Sequence, residues 1–541
     1  MAKSAVVSFC SLLLLLSLFF SANTQAEVPW QVQTADELHR LLENNQEDSD
    51  VQLPELNEPV IRAFYRERRY KPLWSAEDGQ LDRAYDLLQF ITDAEDEGLK
   101  PSDYLLEEIR ELWAPRTLRE TVYLDLLLST ALYRYSNHVY AGRFDPKTLD
   151  ADWHIENKPL DVRSLFTDVA RRDTIRQVLE QLPPRHSGYR LLKAELKRFR
   201  DIEQRGGWAI LRSGPVLSPG MQHKQVLKLK QRMLMSGDLS DCILQDVDIF
   251  DHKLTEAVTR YQVRHGLKAD GALGPQTRRS LNIPVAAKIK KIRINMERWR
   301  WLPRRLGRRY LIVHMTGFEL HLMEEDASVM TMPVIIGKSY RATPTISSWL
   351  SVMEYNPYWT VPKTIAVEDM LPRLKRNPGF LEKKSIKLYR GWANAQEVDP
   401  RTVDWRKIDK DNFPYWMRQE PGPKNALGQV KFLFSNPYEI YLHGTPDKHL
   451  FYRTVRTFSS GCIRVKDPVK LAAYLLDDGS QQREEDVLAN IYLGNNQKVP
   501  LPVAVPIYLI YWTAWADQDG KINFRRDVYG RDTLLNKAFD D

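Results

Sequence analysis

The chain has 541 residues, 43% hydrophobic and 28% charged, with a formal charge of +7. That length exceeds what one hydrophobic core organises, so about two to four domains are expected. Lys and Arg are interleaved with Asp and Glu, with no concentrated basic face or recognisable module, which excludes nucleic-acid binding as the reading.

At the N-terminus, Lys3 precedes an apolar stretch from Ala5 to Phe20, and Thr24-Gln25-Ala26 follows. This is the pattern of a signal peptide over residues 1–26, cleaved after Ala26, with an uncleaved inner-membrane anchor as the alternative. Cys10 sits behind bulky Phe9, which argues against lipoprotein cleavage. The mature chain then holds Cys242 and Cys462, which either bridge or stay free. Neither has CxxC or paired-histidine spacing, so no zinc site is expected.

Residues 27–215 read as mostly helical. Thr34 with Glu37 predicts a capping box opening the helix of Leu38, Leu41 and Leu42. Leu81, Tyr85, Leu88 and Ile91 recur at helical spacing, and Tyr123 to Tyr135 is a strongly apolar helix. Nothing here carries chemistry, so a helical scaffold is expected. Residues 216–284 read as a compact helical unit. One helix holds Val226, Leu229 and Leu234, a second holds Leu254, Val258 and Tyr261, and the string Asp270 to Thr277 is a glycine-punctuated turn into a third helix opened by Pro275.

The densest basic run, Arg298 to Arg309, is read as a solvated face, with contact to an anionic wall polymer or membrane as the alternative. Residues 285–499 become strand-rich, with short β-branched runs at Tyr310 to His314, Met332 to Ile336, Val430 to Phe434 and Glu439 to His443. Residues 363–424 interrupt them with a charged, loop-rich stretch read as an insertion over the sheet. Residues 500–541 give a strand, Val505 to Trp512, and a polar tail.

The chemistry concentrates between Tyr441 and Val465. Period-two alternation turns Ile440 and Leu442 to one face and Tyr441 and His443 to the other. It likewise separates Ile463 and Val465 from Cys462 and Arg464. If the two strands are neighbours, His443 and Cys462 share a face. A free thiol with a pKa near 8.5 is only about 3% ionised at pH 7, so an adjacent imidazole is needed to take its proton. Backbone N–H groups of Ser460, Gly461 or Cys462 are candidate oxyanion donors, with the Tyr441 hydroxyl as a further one. Asp467-Pro468 predicts a helix start close enough to favour the thiolate.

His443-Gly444-Thr445 followed by Ser459-Ser460-Gly461-Cys462-Ile463-Arg464-Val465 resembles the active-site signature of the L,D-transpeptidase family, whose catalytic domain is of the YkuD-like type. The resemblance extends over about Tyr310 to Leu476. Asp270 to Thr277 resembles the signature of three-helix peptidoglycan-binding modules, whose bland alternative is a turn and cap without a ligand. The whole order is similar to the large Gram-negative branch. The fold this implies is multidomain α+β: a helical scaffold domain, a small three-helix peptidoglycan-binding module, and a mostly-β catalytic domain with an inserted capping subdomain.

The resemblance makes Cys462 the nucleophile and His443 the base, with the Gly444 carbonyl orienting the imidazole. Ser460, Gly461, Tyr441 and Arg464 become oxyanion donors or site support, and Tyr355, Tyr358 and Trp359 are groove-lining candidates with core packing as the equal alternative. The implied reaction is 3→3 cross-linking of peptidoglycan tetrapeptide stems in the periplasm, with no cofactor. Carbapenem β-lactams are implied as covalent inhibitors and other cell-wall synthases as partners. The same site fits an L,D-carboxypeptidase or a lipoprotein-attaching transpeptidase, and a non-catalytic wall-binding scaffold is the alternative of another class. A papain-like protease is disfavoured, because that family's sequence around its cysteine is absent.

Overall fold

The computed structural model describes residues 28–43, 59–156, 158–240, 248–477 and 483–540. The leader, the cleavage position and Cys242 lie outside them. Among the described residues no helix is long and apolar enough to cross a membrane.

The described parts of residues 1–93, 100–136 and 161–180 form one compact unit. Its helices are amphipathic at three- and four-residue spacing. Pro59–Glu67 buries Ile61, Phe64 and Tyr65, and Asp82–Thr92 buries Ala84, Leu87 and Ile91. Val162–Ala170 is capped by Asp161, whose carboxylate accepts from the Ser164 N–H at 3.0 Å. The expected capping box at Thr34 does not form. The helix spans Trp30–Glu43, and buried Thr34 donates back to the Trp30 carbonyl at 2.9 Å.

Asp125, fully buried in this unit, gathers the polar groups that the apolar helices cannot satisfy. It accepts from Tyr65 Oη at 2.5 Å, from the N–H groups of Leu73 and Trp74 at 2.9 and 2.8 Å, and from Ser75 Oγ at 3.2 Å. Burial raises its pKa against the opposing pull of these donors. Asp125→Ala strands several buried donors at once and should lower stability by about 3 kcal/mol in urea unfolding. A loss under about 1 kcal/mol would contradict this role.

The described parts of residues 94–99, 137–160 and 181–541 form the second unit. It takes in Ser187–Gln204 and the short strand Trp153–His154, both inside the span expected for the scaffold. Tyr189, Leu192, Leu196 and Phe199 of that helix share a core with Ile292, Met296 and Trp299 of Val285–Arg300. The basic run is only partly a solvated face: Arg305 and Arg308 are exposed, but its first arginines are not. Arg298 and Arg300 are each 1% exposed. Arg298 pairs with Asp532 at 2.7 Å and Arg300 with Glu297 at 2.9 Å, and such partners offset the cost of burying a cation. The polar tail is also structured: Ala514–Ala516 pairs with Ile522–Phe524, and Asp532–Asp540 buries Leu535 and Phe539.

Three helices, Gln225–Ser236, His252–Arg264 and Pro275–Leu281, surround a small core that includes Val226, Leu229, Val258 and Leu281. The signature turn wraps around buried Gln262. Its Nε2 donates to Asp270 Oδ1, the Ala272 carbonyl and Thr277 Oγ1 at 2.9–3.0 Å, and its Oε1 accepts from the Gly271 N–H at 2.8 Å. The motif's polar atoms are thus used in holding the turn.

The strand-rich part is a 10-stranded sheet that closes on itself. Val430–Phe434 pairs with Leu442–His443 on one side and with Thr345–Tyr355 on the other, which closes eight strands into a ring and leaves Trp153–His154 and Thr457–Ser459 outside it. Alternate side chains fill the interior, among them Leu311, Leu322, Val334, Phe432, Leu442, Ile463 and Leu509. Residues 363–424 are less loop-rich than expected. Gln396–Val398, Ile386–Arg390, Tyr415–Gln419 and Trp359–Thr360 make a separate 4-stranded sheet, and Leu374, Leu381, Leu388, Trp405 and Met417 give it a core of its own.

Candidate active site

Leu442–His443 and Ile463–Val465 are parallel neighbours, with Leu442 opposite Ile463 and His443 opposite Arg464. Ile440, Leu442, Ile463 and Val465 point into the barrel core. The alternate side chains, Tyr441, His443, Cys462 and Arg464, line one cleft of about 970 Å³ whose other wall comes from the inserted subdomain. One pairing register therefore brings thiol, imidazole, phenol and guanidinium to the same space.

Cys462 is a free thiol. It contacts the Glu439 carbonyl at 3.6 Å and is hydrogen-bonded by Tyr441. It is not hydrogen-bonded to the imidazole. Burial pushes the thiol up, outweighing Tyr441, Lys431 and Arg464, which pull it down. The expected thiolate-favouring helix start does not win: Pro468–Leu476 begins after Asp467, whose side chain makes no cap bond. His443 is pushed down to about 3, first by burial and then by the Arg464 cation. Its Nδ1 lies 2.5 Å from the Gly444 carbonyl. A carbonyl only accepts, so Nδ1 carries the hydrogen and Nε2 the lone pair. The Leu427 carbonyl is a second acceptor beside the ring. The resting site thus holds a neutral thiol and a neutral base.

The loop before the thiol is held by partners that sequence reasoning missed. Ser459 Oγ donates to the Cys462 carbonyl at 2.5 Å and accepts from the Gly461 N–H at 3.2 Å. Thr343 Oγ1 donates to the Gly461 carbonyl at 2.7 Å. Gly461 has φ +117, where a side chain is strained, and an added Cβ would meet Ile440 at 3.2 Å. With its N–H engaged by Ser459, Gly461 is not a free oxyanion donor in this state. Ser460 Oγ is engaged as well, accepting from Arg341 Nη1 at 2.9 Å. Arg341 also binds Asp369 of the inserted subdomain at 2.7 Å.

Arg464 pairs with Asp447 at 3.3 Å, so part of its charge is spent on the cleft wall. Lys431 Nζ lies 4.0 Å from the centre of the Tyr441 ring and 4.0 Å from Glu354. Its alternation between Val430 and Phe432 was a signal available in the sequence. Tyr358 and Trp359 line the cleft. Tyr355 does not: it is 2% exposed and belongs to the barrel core, because alternation along Thr345–Tyr355 turns it inward.

Family models match three stretches of this chain. A scaffold domain matches residues 59–196, a peptidoglycan binding domain residues 222–281, and an L,D-transpeptidase catalytic domain residues 308–492. The site just described lies within the stretch that matches the L,D-transpeptidase catalytic domain. A curated relative from Haemophilus influenzae, named "Putative L,D-transpeptidase", is 33% identical over 251 residues, 46% of this chain. The match spans 49% of that relative, about half its length. Among solved structures, an L,D-transpeptidase from Xylanimonas cellulosilytica is 15% identical, covering 55% of this chain and 99% of that one, at a TM-score of 0.18. Another from Stackebrandtia nassauensis is 11% identical, covering 56% and 96%, at 0.21.

A neutral pair has a signature in simple alkylation, where only the thiolate reacts. The rate for iodoacetamide at Cys462 should climb about tenfold per pH unit through pH 8. A plateau below neutrality would reveal a stored thiolate–imidazolium pair and contradict the electrostatics above.

Proposed function

We propose that this protein is an exported L,D-transpeptidase that forms 3→3 cross-links in peptidoglycan through a thioester on Cys462. The observation that carries the reading is the shared cleft of Cys462 and His443, reached from adjoining parallel strands within the matched catalytic domain. The peptidoglycan binding domain match supports the same substrate.

In the first step, Cys462 Sγ turns from the Glu439 carbonyl toward His443 and gives its proton to Nε2 as it attacks. The target is the carbonyl joining the L-centre of diaminopimelate to the terminal D-alanine of a tetrapeptide stem. The Tyr441 hydroxyl and the Cys462 N–H receive the oxyanion. Collapse breaks the C–N bond, the imidazolium returns its proton to the leaving amine, and D-alanine departs. In the second step, the amine of a neighbouring stem's diaminopimelate loses a proton to His443 and attacks the thioester. The new amide closes the cross-link and the proton returns to sulfur. Water as acceptor gives a carboxypeptidase, and a lipoprotein lysine gives attachment. Carbapenems acylate the same sulfur, and other cell-wall synthases supply the polymer on which the enzyme works. Such a substrate places the protein in the periplasm.

Incubation with tetrapeptide-rich peptidoglycan, followed by mass spectrometry of muropeptides, should yield 3→3 dimers with wild-type protein and none with Cys462→Ser or His443→Ala. Tripeptides alone would favour the carboxypeptidase, and no change would sink the proposal. The pH profile carries a sign. A folded-state pKa held far below 6.5 keeps His443 unprotonated, so its function as base is present above that value and is lost only as pH falls toward about 3. kcat/KM should therefore be nearly flat between about pH 5 and 7. An inflection near 6.5 assigned to His443 would contradict the burial argument.

A further inference from the structure

Outside the cleft, the inserted subdomain carries an aromatic stack that none of the steps above uses. The hairpin of Ile386–Arg390 and Gln396–Val398 turns through Gly391, whose φ of +73 suits glycine. The Gly391 carbonyl accepts from Trp416 Nε1 at 2.7 Å. That bond pins the turn so that Trp392 lies flat on Trp416, centres 5.1 Å apart and planes 9° apart. Trp416 in turn stacks on Tyr389 at 4.3 Å and 16°. Arg418 continues the ladder, 5.5 Å from the Tyr389 ring and 4.7 Å from that of Tyr358, which lines the cleft.

Trp392 is 74% exposed. Leu388 and Met417 face the subdomain's core, while Tyr389 and Trp416, paired across the strands, lie on the sheet's other face, so the outermost indole adds nothing to that core. Ordering so large a ring in water costs entropy with small hydrophobic return, and exposed apolar surface held in this way marks a binding face. Its shape selects the ligand. A protein partner's anchor wants a concave, fully desolvated pocket, whereas this face is flat, one ring wide and edged by polar groups, with Arg418 paired to Glu420 at 3.0 Å. A pyranose ring matches it, with an apolar C–H face for the indole and hydroxyl and amide groups at its rim for the polar edge.

We propose that Trp392, backed by Trp416 and Tyr389, is a stacking platform for the N-acetylhexosamine rings of a peptidoglycan glycan strand. Resting on the proposed substrate, the platform holds the strand along the ladder while the attached stem reaches past Tyr358 to Cys462.

The test uses the full chain as wild type, Trp392→Ala and Trp392→Tyr. Each is assayed on glycan-linked tetrapeptide stems and on the same tetrapeptide without sugar, and each is titrated with stem-free glycan strands. For Trp392→Ala, kcat/KM on glycan-linked stems should fall about tenfold, mainly through KM, as should affinity for bare strands. Turnover of the sugar-free peptide should be unchanged, and Trp392→Tyr should restore most of the loss. An equal fall on both substrates would assign Trp392 to the subdomain's fold, and no fall on either would leave it without a ligand role; each result overturns the platform. If wild type makes no cross-links, the transpeptidase reading fails, while the titration with bare strands still decides for or against the platform.

Discussion

The parallel pairing of Leu442–His443 with Ile463–Val465 is the constraint on which the rest of the site depends. A strand offers two faces, and here the interior face is fixed by Leu442, Ile463 and Val465, all fully or almost fully buried. A slip of one residue would send those aliphatics into the cleft and the thiol into the core, so core packing and catalytic alignment are enforced by one register. The closed sheet supplies stiffness at this point, because Val430–Phe434 is paired on both sides and leaves Leu442–His443 no freedom to drift.

Burial gives the site its electrostatic character. It holds the imidazole unprotonated and the thiol protonated, so the pair is neutral at rest. The Gly444 carbonyl selects the tautomer with one short hydrogen bond, and no carboxylate is needed to orient the ring. Around this neutral pair, Thr343, Ser459 and Arg341 fix the loop that carries sulfur. Arg341 also reaches the inserted subdomain, which ties the position of that wall to the backbone next to Cys462.

Local pattern made much of this legible before coordinates. Alternation at Tyr441 to His443 and at Cys462 to Val465 is a backbone property and needs no tertiary information. What pattern could not reach depended on distant partners. Arg298 and Arg300 look like surface charges until Asp532 and Glu297 appear opposite them. The strands of the inserted subdomain are short and carry charged side chains, so period two was masked there. For Tyr355 groove and core were equally open from the sequence, and only its place in the long strand Thr345–Tyr355 decides which way it faces. Helix Ser187–Gln204 was readable as a helix, while its packing on Val285–Arg300 was not.

The central claim is that sulfur becomes covalently linked to the stem. Wild-type protein mixed briefly with tetrapeptide stem, quenched in acid and weighed intact should gain the mass of the stem less D-alanine. The adduct should map to the peptide containing Cys462 and vanish with hydroxylamine. An unmodified Cys462 throughout turnover, or an adduct that persists in Cys462→Ser, would contradict the account.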